Sequence, residues 1–160
     1  MTNFSVRVLS LLAITCGSVM AQETLGSRLR EAYDDAWNGY KSVPENHIGG
    51  YGVMTDPFAV ARFDCKRLND TEYQCSGPVK SNSSLDTVTA ALQNHLSATL
   101  PLEFAWKVTP NFKGTPGRNL LAGAADRTGP IVAADIMVYN AKEILIDVSV
   151  VRRGQRRNDN

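Results

Sequence analysis

The chain has 160 residues, 43% of them apolar, with 17 basic side chains against 16 acidic ones. That bounds the answer to one domain around one core, and the near-neutral balance excludes nucleic acid as an obligatory partner, since phosphate neutralisation needs a basic excess. No G-x-S-x-G elbow, H-E-x-x-H pair or phosphate-binding loop occurs, so the common hydrolase, zinc-protease and nucleotide chemistries lack their motifs.

Residues 1–21 carry one basic residue, Arg7, then an apolar run from Val8 to Ile14 broken only by Ser10, then Val19-Met20-Ala21 before Gln22. This is the layout of a secretory signal peptide. The run is far short of the roughly 20 residues a spanning helix needs. Cleavage after Ala21 would leave 139 residues with 16 basic and 16 acidic side chains. The expected organisation is a signal over 1–21, a single α+β domain over 22–151 and a basic disordered tail over 152–160. The expected location is outside the cytoplasm: periplasmic in a diderm bacterium, otherwise secreted. Cys16 leaves with the signal, because Ala13-Ile14-Thr15 fits a lipid-attachment motif poorly.

Residues 23–40 read as a helix. Leu25, Leu29, Ala32, Tyr33, Ala36, Trp37 and Tyr40 share one face of a 3.6-residue period, and Gly39 and Pro44 mark its exit. His47-Ile48-Gly49-Gly50-Tyr51-Gly52 follows as a loop or a glycine-loosened first strand. Residues 58–66 and 72–80 read as strands around the turn Leu68-Asn69-Asp70-Thr71. A hairpin centred on Asp70 sets Cys65 opposite Cys75 and Arg67 opposite Tyr73. Facing residues of an antiparallel pair satisfy disulfide spacing, and an even pair in an exported chain reads as a disulfide.

Ser83 and Asp86 have capping-box spacing for a helix ending near Leu100, with Leu85, Val88, Leu92, Leu96 and Leu100 in one stripe and Pro101 as its stop. Residues 102–109 alternate, with Leu102, Phe104, Trp106 and Val108 on one side. Residues 110–119 read as a loop, and 131–139 and 143–151 as two further strands. The order predicts an α+β fold: a mostly antiparallel sheet of about five strands, two helices on one face, and one disulfide-linked hairpin. Its expected core joins Trp37, Leu92, Phe104, Trp106, Ile146 and Val148. No internal repeat is visible.

Candidate sites are few. His47 precedes two glycines, where backbone donors could approach a ligand, and is the one candidate for a general base. His95 sits at the margin of its helix's apolar stripe and reads as a packed ring at the helix–sheet boundary. In the loop over 111–119, Phe112, Lys113 and Arg118 lie among glycines that let N–H groups converge on an anion. Arg152, Arg153, Arg156 and Arg157 form a basic arm; contact with anionic lipid is the weaker reading and a solubilising end the stronger. Glu31, Asp34 and Asp35 diverge around their helix and read as a solvated face, so no metal site is expected. No cofactor is expected either.

These features predict a small exported binding or accessory protein acting through protein–protein contacts in the cell envelope. The alternative is an extracytoplasmic hydrolase using His47 near the 111–119 loop.

Overall fold

A computed structural model describes residues 24–52, 61–80, 83–100, 107–110, 116–123, 129–140 and 143–154. The expected signal peptide and most of the tail lie outside them. The elements run α1 (Leu25–Asp35), a 3₁₀ turn (Ala36–Asn38), β1 (Asn46–Gly52), β2 (Arg62–Asn69), β3 (Glu72–Lys80), α2 (Leu85–Thr99), β4 (Lys107–Pro110), β5 (Gly117–Gly123), β6 (Ile131–Asn140) and β7 (Glu143–Val151). The strands form one antiparallel sheet in the order β1-β2-β3-β7-β6-β5-β4. The fold is α+β, as the sequence implies, but with seven strands.

Thr24 caps α1 through a reciprocal capping box with Ser27, which satisfies two otherwise orphaned backbone donors. α2 is capped by Ser84, whose hydroxyl accepts from the Thr87 amide, one residue later than the Ser83 spacing predicts. Both helices bury their stripes on the same side. Leu25, Leu29 and Ala32 from α1 and Ala36 from the 3₁₀ turn, with Val88, Leu92 and Leu96 from α2, meet Phe63, Tyr73, Ile136, Ile146, Val148 and Val150 of the sheet. Cys65 and Cys75 face each other on β2 and β3 as predicted, and they are bonded. Both are fully buried on the helix side.

Trp37 departs from the predicted core. It is 47% exposed. The α-helix stops at Asp35 and tightens into the 3₁₀ turn. With three residues per turn instead of 3.6, that turn keeps Ala36 inside and swings Trp37 out. Leu92, Ile146 and Val148 are fully buried as expected, while Phe104 and Trp106 lie outside the described residues. Gly39 then adopts φ 71°, and Tyr40 follows with φ 59°, a conformation that costs a bulky residue strain. The Tyr40 hydroxyl compensates by donating to Val150 O at 2.8 Å and lying 3.3 Å from Thr71 O.

The topology contains an internal two-fold. Its axis passes between Ser76 of β3 and its partner Asp147 of β7. A shift of 71 positions, the separation of those two residues, carries β1 onto β5 and β2–β3 onto β6–β7. Pairing follows: Cys65↔Cys75 becomes Ile136↔Ile146, and Asn69↔Glu72 becomes Asn140↔Glu143. Each hairpin has its register irregularity just before that asparagine. The helices are related by 60 positions, from cap Thr24 to cap Ser84. The longer second connection accommodates β4, which has no counterpart. Thus each half is a helix followed by a three-stranded meander, and the halves join through their last strands.

Candidate functional site

The Gly-Gly segment makes His47 a structural neighbour of its own strand. His47 pairs with Cys65 and Tyr51 with Phe63, so β1 bulges between them. The imidazole folds back over the bulge. A Cβ placed on Gly50 would fall on the ring at Nε2 and Cδ2, so only glycine fits there. The ring rests 4.6 Å, centroid to centroid, from Tyr51. Tyr51 also takes the Arg28 guanidinium, 4.8 Å from its centroid, and Arg28 is bonded to Glu31 at 2.6 Å. The buried Arg28 cation is therefore compensated by a carboxylate and an aromatic ring, and it ties α1 to the edge strand β1.

Arg118, the other described candidate, is the two-fold equivalent of His47. It leans from β5 to the first turn of α2, where its guanidinium meets Asp86 at 2.9 Å, and it also donates to Gly117 O. β1 and β5 are separated by four strands, which puts His47 and Arg118 about 24 Å apart along the sheet. The described end of the 111–119 loop is thus not brought to His47. Phe112 and Lys113 lie outside the described residues.

The remaining candidates have individual partners. Glu31 engages Arg28, Asp34 engages Arg30, and Asp35 accepts from Ser42 and Asn38. Burial would raise the Asp35 pKa, but these bonds and Lys41 outweigh it and the carboxyl is held below its ordinary value. Among the described residues, no group of three or more His, Cys, Asp or Glu could hold a metal. His95 lies against α1: its Nε2 is 3.0 Å from where a Cβ on Gly26 would be, and that atom is buried without a hydrogen bond.

The sheet's second face is the broadest feature. Alternation sends Asp64, Ser76, Asp147, Asp135 and Asn119 to this side in one continuous cross-strand row. Asn119 donates to Asp135 at 2.6 Å. The adjacent row runs Lys66, Gln74, Ser149, Ala133 and Leu121, with Leu121 49% exposed. Both described helices lie on the opposite side, so no described element covers these rows.

The sequence reading missed the Arg28–Tyr51 contact, although an arginine at Leu29's flank is a visible departure from a purely apolar stripe. It also missed β5, and with it the rows on the second face. No protein-family model, curated protein or solved structure matches the chain. The disulfide fits an oxidising environment outside the cytoplasm. No described helix is long and apolar enough to cross a membrane.

Proposed function

We propose that this chain is an exported, non-enzymatic binding or accessory protein that works through protein–protein contacts in the cell envelope. The observation that carries the reading is the second face of the sheet. It is the face that neither described helix covers, presents Leu121 beside Ala133, and sets Asp64, Asp147 and Asp135 in a polar row next to them. An exposed apolar side chain beside a polar row matches the mixed polarity of protein interfaces. The polar row favours a partner surface with hydrogen-bonding groups of its own, and complementary polarity sets specificity.

Photocrosslinking tests this. A photoreactive residue replaces Leu121 in the native host, with one at exposed Asn94 of α2 as the control. A single partner captured from Leu121 and absent from Asn94 is expected, and Asp135→Lys should abolish the capture. Equal capture from both positions, or none from Leu121 in the folded protein, overturns the reading.

A further inference from the structure

Exposed tryptophan is costly to leave in water, and Trp37 is not isolated. It borders a cavity of about 300 Å³ that is also lined by Thr71, Arg152, Arg153 and Gly154. Three segments converge there: the 3₁₀ turn after α1, the turn between β2 and β3, and the end of β7. They are fixed to one another. The Arg152 amide donates to Thr71 O at 2.8 Å, Tyr40 pins the 3₁₀ exit to Val150, and Gly39 lies against Asp70.

Two cations, Arg152 and Arg153, line this cavity. Val150 faces the helices and Val151 the second face, so Arg152 projects on the helix side, with Trp37. Among the described residues no carboxylate forms an ion pair with Arg152. It lies near Tyr40, whose hydroxyl is pushed up to about 12, chiefly by burial, and so stays neutral. Glu72, also near Tyr40, is engaged by Ser149 at 3.0 Å on the other face. Arg153 sends its guanidinium over Gly123, which has no side chain to obstruct it. Asp70 is the acidic group at the rim, beside Gly39.

We infer that this cavity is a binding site for a small monocyclic anion: the ring stacks on the Trp37 indole and a carboxylate or phosphate meets the Arg152 guanidinium. The chemistry follows from the parts. An indole face offers a stacking platform for a flat or sugar ring. A guanidinium offers paired donors matched to a carboxylate or phosphate. The volume is at the lower end for ligand pockets, about 300–1,000 Å³, and admits one ring with its anionic group. Neither Trp37 nor Arg152 belongs to the sheet's second face, so the site stands or falls separately from the protein-binding reading.

Titration of the ¹⁵N-labelled chain with phenyl phosphate, glucuronate, inorganic phosphate, phenol and glucose tests it. Saturable shifts of the Trp37 indole N–H and the Gly154 amide are expected for phenyl phosphate or glucuronate. At least tenfold weaker binding is expected for phenol, glucose and inorganic phosphate. Which of the two anions binds more tightly separates a phosphate monoester from a uronic acid. Arg152→Gln should weaken binding tenfold or more with the melting temperature unchanged. Trp37→Ala, followed at Gly154, should do the same. Absence of saturable shifts with either ring anion, equal binding of the neutral rings, or an unaltered Arg152→Gln response would overturn the assignment. Crosslinking from Leu121 should be indifferent to both substitutions.

Discussion

Tyr40 shows how much one side chain can hold. Its backbone sits in the left-handed region, and its hydroxyl spans from the end of α1 to the central strand β7. Tyr40→Phe keeps the ring against Tyr73 but removes the side-chain donor to Val150 O. The expected loss is about 1–2 kcal/mol, measured by denaturant unfolding. An unchanged midpoint would show that the hydroxyl is not what stabilises the turn. His95 gives a pH signature. Burial holds its pKa below the ordinary value, so the unfolded chain binds the proton more readily. Stability is therefore full above about pH 6.5, where the unfolded imidazole is neutral, and falls as the pH drops below it. Protonation would place a cation against Gly26 and Thr99. His95→Leu should flatten the change in melting temperature between pH 7 and 5 relative to the parent chain. Parallel curves for the two proteins would assign the acid sensitivity elsewhere.

At the level of elements, the hairpin of β2 and β3 was the most legible part of the sequence. Two cysteines equally spaced about a turn fix a register by themselves, and the strands around Ile146 and Val148 announce themselves by alternation. β5 was hidden because Leu120 and Leu121 are adjacent and apolar, which erases the period of two. Its identity as a strand comes from its neighbours β4 and β6. The candidate site was less legible than the fold. His47 and Arg118 were singled out for chemistry, but His47 packs on Tyr51 of its own strand and Arg118 pairs with Asp86 of α2. Trp37 was assigned to the core because a helical period does not show where a helix tightens. The hairpins also define the work of the disulfide. Ile136 and Ile146 occupy the equivalent place in the second half, so the position itself accepts apolar side chains. Cys65→Val with Cys75→Val should fold and lose about 2–3 kcal/mol, the value expected for opening so short a loop. The double serine variant should lose more, because two hydroxyls would be buried there. Equal stabilities of the two variants would contradict the equivalence of the hairpins.

For the whole molecule, the two-fold was invisible in the sequence because it preserves pattern, not identity. Asp64 and Asp135, Asn69 and Asn140, Glu72 and Glu143, and Val79 and Val150 coincide under the shift of 71 positions that the central pair defines, while most other positions differ. What is shared is alternation, turn placement and the helix that precedes each meander. The halves are joined by a full ladder from Glu72↔Val151 to Lys80↔Glu143, and both contribute to one core. Truncation after Asn140, which removes β7, should therefore abolish cooperative thermal unfolding of the whole domain, read by circular dichroism. A surviving sharp transition would mean that the first half folds alone.

The position of β7 also sets a timetable. β7 follows every other described strand in the chain yet lies between β3 and β6, so the sheet cannot close until β7 has been made. Until then β3 presents an open edge, the kind of edge that recruits strands from other chains, and pairing across such a sequence distance is slow. The same delay sets the hazard. Because β3 meets β7 antiparallel about a two-fold, the β3 edges of two unfinished copies could pair with each other in the same geometry. Crowded synthesis would then yield joined first halves in place of finished monomers.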